Sequence, residues 1–315
     1  MQLRNRPIFT SVFQTLSAFK PSPDSAYVFA VASIEERGLR SVQWQQGCDD
    51  VVFVPITEQT DLAFTFQHNG DGSARLRSGV DLRHFWRSLE RTRVYLDITG
   101  LEHSVWAPLL KSALSMGLHV FCVYLEPEAY RFNRSPREGD IFDLSERIKG
   151  LAPIPGFASL GEAEHEDDIT FVALLGFEGV RFKYCIEQIQ PPRNKIIPVI
   201  GVPGFQPEYP FYTYDGNRPI IDETEACKYV RFARANCPFS LFYLLQDIAT
   251  QHPLDVLKIA TIGTKPHALG AVLFSLLSPR SIELLYDHPI RKASRTEGSA
   301  RVLLYEVSAM SSVAG

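Results

Sequence analysis

The sequence lacks a long apolar run, and no segment of its 315 residues approaches the roughly 18 consecutive apolar residues that a transmembrane helix needs. Its first residues include basic side chains but no uninterrupted apolar stretch, which argues against a secretory signal peptide. Basic charge is not in excess either, because 32 Lys and Arg stand against 36 Asp and Glu. We therefore expect a soluble, cytoplasmic protein with no membrane partner. Direct nucleic-acid binding is not favoured, since it usually needs a basic domain, although a local basic patch would leave it open.

Cysteines and known nucleotide-binding motifs are also sparse. The five cysteines are odd in number and widely spaced, with no CxxC pair and no His–Cys cluster at zinc spacing. We expect reduced thiols, with Cys122 and Cys185 in core elements, and no metal site. The motifs GxxxxGK[ST] and GxGxxG are both absent, which excludes a Walker A loop and a dinucleotide fingerprint. No cofactor is predicted.

What the sequence does contain is a repeated alternation of apolar strands and helices, typical of an α/β protein whose parallel sheets are covered on both faces. Strands are predicted at 27–33, 51–55, 62–67, 94–98, 119–125, 169–175, 195–200, 257–262 and 282–286. Helices are predicted at 82–91, 103–116, 180–190, 239–251 and 267–277. An additional edge strand is predicted at 301–307.

This pattern predicts two Rossmann-like parallel-sheet units. The predicted organisation is an N-terminal extension, a first unit, a linker with one short helix near 141–149, and a second unit, spanning 1–26, 27–126, 127–168 and 169–315 respectively. Both halves follow a similar order of elements while the identity between their residues is low, so the repeat is one of architecture. Whether the two units pack as a pseudo-dimer is left open by the sequence.

The segment from Gly263 to His267 is the strongest candidate for a ligand site. It follows a buried strand and begins a helix, and ligands of open parallel sheets bind where the carboxyl ends of strands lead into helices. Gly263 lets the backbone approach an anion closely, and Thr264 can cap the helix or donate its hydroxyl to a phosphate. Lys265 supplies positive charge, Pro266 suits the first helical turn, and His267 could hydrogen-bond a base, a ribose or a phosphate. The alternative is a well-capped helix start with a surface lysine.

Three other segments are candidates for ligand contacts. Gly176-Phe177-Glu178-Gly179 follows the first strand of the second unit, where Phe177 could stack on a base or belong to the core, and Glu178 could accept from a base or ribose. Thr99-Gly100 repeats the strand–turn–helix pattern in the first unit without a lysine, and such a turn is also a common capping pattern. The basic stretch after the last buried strand offers Arg291 as a phosphate ligand, or forms a solvated loop.

The segment I-G-T-K-P-H-A-L-G (262–270), preceded by L-L-G-F-E-G (174–179), resembles CARF-type domains, which are Rossmann-like sensors of cyclic oligonucleotides in prokaryotic immunity. Such domains often carry Thr-Gly-Gly-Thr-Lys at this turn, and here Ile262 replaces the first glycine of the pair. The related SAVED modules fuse two such units in one chain. The resemblance covers 169–288 and, in outline, 27–125. It implies a nucleotide-binding sensor or regulatory subunit of an antiviral defence system, with a nucleotide or cyclic oligonucleotide ligand and with protein partners or a homo-oligomer.

Two further functions stay open. An enzyme acting on a nucleotide or nucleic acid without a metal, in the manner of a ring nuclease, would use Glu178 as base or nucleophile, His267 as acid, and Lys265 to stabilise developing charge. A ligand-free scaffold subunit of a defence complex would use the proline- and aromatic-rich loop 201–214 as an interface, since aromatic residues are enriched at binding hot spots. The fold alone does not choose among these functions.

Overall fold

The computed structural model describes residues 9–31, 35–137, 139–159 and 168–313. These residues form two compact units: residues 9–130 combine with residues 293–313 in the first, and residues 131–292 form the second. The second unit is therefore inserted in the sequence between two segments of the first. Residues 1–8 of the predicted N-terminal extension and residues 160–167 of the predicted linker lie outside the described residues.

The secondary structure alternates strands and helices along most of the chain. Residues 9–130 form β1 (Thr10–Phe13), β2 (Ser25–Ala30), α1 (Val42–Gln46), β3 (Val51–Gln59), β4 (Ala63–Gln67), β5 (Asp71–Arg75), α2 (Gly79–Ser88), β6 (Arg93–Asp97), α3 (His103–Ser115), β7 (His119–Leu125) and β8 (Ala129–Tyr130). Residues 131–292 form β9 (Phe132–Arg137), β10 (Asp140–Phe142), β11 (Ser145–Ile148), β12 (Ala152–Pro153), β13 (Ile169–Leu174), α4 (Gly179–Ile189), β14 (Ile196–Gly201), α5 (Tyr209–Glu223), β15 (Arg231–Ala233), α6 (Pro238–Gln251), β16 (Val256–Ala260), α7 (Lys265–Leu277), β17 (Ile282–Tyr286) and β18 (Pro289–Arg291). The last segment forms β19 (Thr296–Glu297), β20 (Val302–Glu306) and α8 (Ser308–Val313).

The first unit is built on an eight-stranded sheet in the order β1-β20-β7-β6-β2-β3-β4-β5. Its four central strands, β7, β6, β2 and β3, are parallel. Antiparallel strands extend the sheet on both sides, with β20 and β1 beyond β7 and the β4–β5 hairpin beyond β3. All six residues of β2 are buried, as expected for a central strand with both faces covered.

The second unit is built on a six-stranded sheet in the order β12-β17-β16-β13-β14-β15. Strands β13 to β17 are parallel, and β12 pairs antiparallel with β17. Numbered along the chain, the five parallel strands follow the Rossmann order 3-2-1-4-5. The direction of the connections reverses between β13 and β16, so the turns after these two strands lie at the switch point where ligands of such sheets bind.

The two units share the order of their core strands. The series β7-β6-β2-β3 in the first unit corresponds to β17-β16-β13-β14 in the second, and an antiparallel strand flanks the same outer strand in each, β20 beside β7 and β12 beside β17. The α/β class and the architectural repeat expected from the sequence are confirmed. The packing of the units as a pseudo-dimer stays a prediction.

The predicted helix near 141–149 is replaced by strands. Residues 140–142 form β10, which pairs with β9 as a hairpin, and residues 145–148 form β11, which pairs with β18. The reason is visible in the burial pattern, because Phe142 and Leu144 are both buried while Asp143 between them is not. This two-residue period belongs to a strand and not to a helix.

The residues that belong to each unit also differ from the predicted boundaries. The strand expected at 301–307 at the edge of the second unit is β20, and it lies inside the first sheet between β1 and β7. The predicted N-terminal extension contributes β1 to the same sheet. The proline- and aromatic-rich loop 201–214 is shorter than expected, because α5 begins at Tyr209 and continues to Glu223.

The core of the second unit lies between its sheet and the helices α4 and α5. Phe171, Phe182, Cys185 and Ile221 are among its fully buried members. Cys122 in the first unit is fully buried as well, so the predicted core positions of both cysteines are confirmed, and all five cysteines are free thiols. Among the helices of the described ranges, none combines the length and apolar character required to cross a bilayer.

Candidate functional site

Two glycine turns touch at the carboxyl edge of the second sheet. A Cβ placed on Gly176 would lie 2.9 Å from the carbonyl oxygen of Ile262 and 3.5 Å from the Cα of Gly263. A Cβ on Gly263 would lie only 2.6 Å from the carbonyl oxygen of Leu175. Both positions therefore require glycine because backbone passes backbone without room for a side chain. The turns that follow β13 and β16 meet at the switch point, as their places in the sequence predicted.

The first turn of α7 is capped by Thr264. Its hydroxyl accepts a hydrogen bond from the N–H of His267, at 3.3 Å, and donates one to the carbonyl of Ala235, at 2.9 Å. Of the two roles that the sequence allowed for this hydroxyl, the structure displays the cap. Lys265 is the first residue of α7, followed by Pro266, and Lys265 has only 5% of its surface exposed.

His267 is locked in one state by its surroundings. The side chain is 1% exposed, and its Nε2 lies 3.0 Å from the carbonyl oxygen of Arg234. Because a carbonyl can only accept, Nε2 carries the proton. Burial lowers the pKa of His267 to about 4, so the imidazole is neutral near pH 7. Nδ1 is buried and has no hydrogen-bond partner among the described residues.

Glu178 is the N-cap residue of α4, and its carboxylate fastens a neighbouring loop. Oε1 accepts from the backbone N–H groups of Leu144, at 3.2 Å, and Ser145, at 2.9 Å. Oε2 accepts from the Ser145 hydroxyl at 2.7 Å. Three donors therefore hold the carboxylate that the sequence offered as a catalytic base or nucleophile. Their effect is to tie the loop between β10 and β11 to the start of α4.

Phe177 stacks on a ring from the β9–β10 hairpin. Its centroid lies 4.2 Å from that of Phe142 with an interplanar angle of 24°, and Tyr209 of α5 meets it edge-on at 5.2 Å. The ring is half-buried. Phe177 therefore packs against rings of the protein, and its stacking on a base stays a prediction.

Gly179 lies at a close backbone contact between α4 and α5. A Cβ there would lie 2.0 Å from the carbonyl oxygen of Gly216, and a Cβ on Gly216 would lie 2.1 Å from the carbonyl oxygen of Phe177. Asn217, fully buried next to this contact, donates from Nδ2 to the carbonyls of Gly176 and Thr213, both at 2.7 Å. The amide side chain of α5 thereby fixes the Gly176 turn. Sequence reasoning missed both α5 residues because it placed no helix at their positions.

A buried ion pair joins the same two turns to the end of β17. Arg181 donates to Asp287 from Nε, at 2.7 Å, and from Nη2, at 2.6 Å, and its Nη1 donates to the carbonyl of Ile262 at 2.8 Å. Burial acts to lower the pKa of Arg181, but the charge and hydrogen bonds of Asp287, together with the charges of Tyr286 and Glu178, raise it above its ordinary value. The sequence signal that could have indicated this pair is a lone aspartate directly after an apolar strand, in IELLYD (282–287).

The Thr99-Gly100 turn of the first unit is held by hydrogen bonds to the neighbouring strands. The Thr99 hydroxyl accepts from the N–H of Leu125 at 3.0 Å, and the Thr99 N–H donates to Asp97 at 3.0 Å. Gln59 accepts from the N–H of Glu102 at 2.7 Å, at the start of α3. Thr99 does not cap α3, whose N-cap residue is Glu102 and has no side-chain cap, and the Thr99 hydroxyl binds the end of β7 instead. Ligand contact at this turn stays a prediction.

Buried arginines nearby were not anticipated. Arg37 pairs with Glu35 and donates to the Leu125 carbonyl, and Arg40 pairs with Asp97. Arg37 follows β2 and reaches the end of β7, as Arg181 follows β13 and reaches the end of β17.

Arg291 and its neighbours make contacts within the chain. Arg291 donates to the Tyr286 hydroxyl at 3.0 Å, and Lys292 pairs with Asp143. In the first unit, Arg295 pairs with Glu35 at 2.5 Å. The basic stretch is therefore held in place by hydrogen bonds and ion pairs instead of forming a solvated loop.

Metal ligands and comparisons with known proteins give no indication of the function. No group of three or more His, Cys, Asp or Glu side chains in the described ranges could hold a metal ion. No protein-family model matches the chain, and no curated protein matches it.

Proposed function

We propose that the second unit binds a nucleotide, with a phosphate at the N-terminus of α7, and that the protein is a nucleotide-binding sensor or regulatory subunit of a prokaryotic antiviral defence system. The observation that carries the binding proposal is the backbone contact between Gly176 and Gly263 at the switch point, with Lys265 as the first residue of α7. The defence role follows from the resemblance to CARF and SAVED proteins.

The physical case rests on what a helix N-terminus offers an anion. The helix dipole places roughly half a positive charge at the N-terminus of α7. Pro266 has no N–H and the N–H of His267 donates to the Thr264 hydroxyl. The attraction for a phosphate therefore comes from the dipole and from Lys265. Lys265 adds a full positive charge at the same place. Gly176 and Gly263 let the backbones of the two turns approach each other, which brings both turns together at the switch point.

Pre-organisation of the turns supports binding. Thr264 caps the helix, Asn217 holds the carbonyl of Gly176, and Arg181 holds the carbonyl of Ile262. These contacts fix the backbone before a ligand arrives, so little conformational entropy remains to be lost on binding.

Binding is favoured over turnover because the two proposed acid–base groups already have other partners. Glu178 accepts three hydrogen bonds from Leu144 and Ser145, and His267 donates through Nε2 to the carbonyl of Arg234. A neutral imidazole whose only N–H is held in this way is not a general acid at pH 7. We therefore expect bound nucleotide to be released unchanged.

The test is isothermal titration calorimetry of the full chain with cyclic di-, tri- and tetranucleotides and with mononucleotides. We expect heat with at least one of them, and we expect Lys265→Ala to weaken that binding by about tenfold or more because a charge-assisted contact is lost. Lys183→Ala is the matched control, since it removes the same charge from an exposed position on α4. No heat from any ligand with the folded protein would overturn the proposal. Chromatography of the recovered ligand separates sensing from turnover, and cleaved ligand would support the enzyme instead.

A further inference from the structure

Phe142 sits in an aromatic box beside the Gly176 turn. Its ring is sandwiched between Phe177, at 4.2 Å and 24°, and Phe132, at 4.9 Å and 21°. The rings of Tyr209 and Tyr212 from α5 meet it nearly at right angles, with centroids at 6.4 Å and 5.4 Å. Two stacked rings and two edge-on rings therefore enclose one planar ring, which is only 3% exposed.

This enclosure has the geometry by which proteins hold a nucleobase. Bases bind by stacking on aromatic side chains, and a sandwich between two rings uses both of their faces. A base also has a polar edge that a phenyl ring lacks, and tyrosine side chains carry hydroxyl groups that can hydrogen-bond such an edge. Phe177, one wall of the box, directly follows Gly176, whose backbone touches Gly263. The box is therefore adjacent to the turn at which the phosphate is proposed to bind.

Phe142 lies on β10, which is part of a two-stranded hairpin. β10 pairs with β9 alone, with an irregular register between Asp140 and Phe142, and isolated two-stranded hairpins are marginally stable. Phe132, the partner of Phe142 across the hairpin, has 54% of its surface exposed. Outside the box, two contacts hold the chain after β10: the hydrogen bond from Ser145 to Glu178 and the Lys292–Asp143 ion pair. Such an element opens at lower free energy than the central sheet.

We propose that Phe142 occupies a nucleobase subsite of the second unit, and that the base of a bound nucleotide takes its place between Phe177 and the two tyrosines. The inference rests on the proposed nucleotide binding at the switch point and specifies where the base lies. The hairpin then acts as an internal competitor. Ligand binding displaces Phe142 and loosens β9 and β10. The surface that the β9–β10 hairpin forms therefore differs between the free and the bound protein.

The experiment compares Phe142→Ala with the wild-type chain in calorimetric titrations with adenosine 5′-monophosphate, guanosine 5′-monophosphate and ribose 5-phosphate. We expect Phe142→Ala to raise the affinity for at least one of the two nucleotides by about tenfold or more, because the internal competitor is gone, and to leave the affinity for ribose 5-phosphate unchanged. Phe242→Ala is the matched control, since Phe242 is also a buried phenylalanine of the same unit but its ring meets Tyr243 and Phe274 on α6 and α7. It should raise none of the three affinities.

Hydrogen exchange of the wild-type chain provides a readout that does not depend on a folded variant. Binding of adenosine 5′-monophosphate should speed exchange of the β9–β10 amides while it slows exchange in the Gly263 turn. Slower exchange in the hairpin, or a Phe142→Ala variant whose affinities for both nucleotides match those of the wild type, would overturn the base subsite. In that case phosphate binding that depends on Lys265 would leave the proposed function standing. If no phosphate compound binds to any form of the protein, both proposals fail.

Discussion

Arg181 and Asp287 lie 106 residues apart in the chain and form a two-pronged ion pair, from Nε to Oδ2 at 2.7 Å and from Nη2 to Oδ1 at 2.6 Å. The carboxylate is fully buried, and the remaining nitrogen of the guanidinium holds the carbonyl of Ile262, one residue before the Gly263 turn. One side chain of α4 thus sets the positions of the ends of β16 and β17. The pair links the stability of the second unit to the geometry of its candidate site.

Replacing Arg181 by Met should destabilise the protein by about 3–5 kcal/mol, because the buried Asp287 carboxylate loses its counter-charge. Urea denaturation measures the change. Arg218→Met is the control, since Arg218 pairs with Asp222 at 3.5 Å with both side chains more than half exposed, and its loss should cost less than about 1 kcal/mol. The double variant Arg181→Met/Asp287→Leu should recover part of the stability. Equal effects of Arg181→Met and Arg218→Met would contradict the structural role of the buried pair.

Adding one methyl group to Gly179 should destabilise the second unit by about 1–3 kcal/mol or more, because the new Cβ would meet the carbonyl oxygen of Gly216 at 2.0 Å. Gly79→Ala is a matched control. Gly79 is also the first residue of a helix, but its nearest neighbour is the flexible end of the Arg83 side chain at 3.1 Å. That substitution should be neutral or mildly stabilising. Thermal unfolding of both variants decides the matter, and a Gly179→Ala protein as stable as the wild type would show that α4 and α5 can separate at no cost.

His267 should make the protein less stable as the pH falls below neutrality. Its pKa of about 4 in the folded protein is lower than the ordinary value of about 6.5, because burial disfavours the charged form. Between these two values the unfolded chain binds a proton that the folded chain does not. The free energy of unfolding therefore decreases as the pH is lowered through this window. The full effect below the folded pKa is on the order of 3 kcal/mol.

Urea unfolding of the wild type and of His267→Gln at about pH 7.5 and about pH 5 tests this expectation. The wild type should lose roughly 2 kcal/mol more than the variant over this interval, since about 1.5 pH units of the window are crossed. Glutamine can keep the donor to the Arg234 carbonyl but does not titrate. Identical losses in the two proteins would mean that His267 is not the neutral buried group that the structure contains.

The five thiols should react at clearly different rates with a thiol reagent. Cys227 is exposed, whereas Cys122 and Cys185 are buried, and burial raises the pKa of Cys185 to about 12. Only the thiolate reacts, so Cys227 should be labelled first and the two core cysteines only after unfolding. Mass spectrometry of peptides after brief labelling identifies the order. Early labelling of Cys185 would contradict the closed core of the second unit.

The sequence predicted well those elements whose signal is local. A strand covered on both faces is mostly apolar, so β7 (His119–Leu125) and β17 (Ile282–Tyr286) were predicted with the bounds that the structure has. Helix starts with clear capping were predicted within about two residues, as for α7, where Thr264 is the N-cap. The meeting of the Gly176 and Gly263 turns followed from a general property of parallel sheets.

What the sequence did not reveal depends on partners far away along the chain. Helix α5 was missed because Pro210, Gly216 and Pro219 all indicate loops, yet Pro210 falls in the first turn and Gly216 is required by the approach of α4. The role of Glu178 depends on Leu144 and Ser145, more than thirty residues earlier. Local periodicity also could not place β20 in the first sheet, since strand pairing partners are chosen by the whole fold.

The position of β20 between β1 and β7 has a consequence for biosynthesis. A ribosome has already produced β1 and β7 when it begins the second unit, but it reaches residues 302–306 only after the second unit is complete. Until then β1 has no neighbour in its sheet, and the outer edge of β7 offers unpaired backbone groups to other chains. The inserted unit can fold during translation, while the unit that encloses it in sequence must wait until residues 302–306 have been made. Slow translation or early arrest in the second half would therefore expose the first half to aggregation.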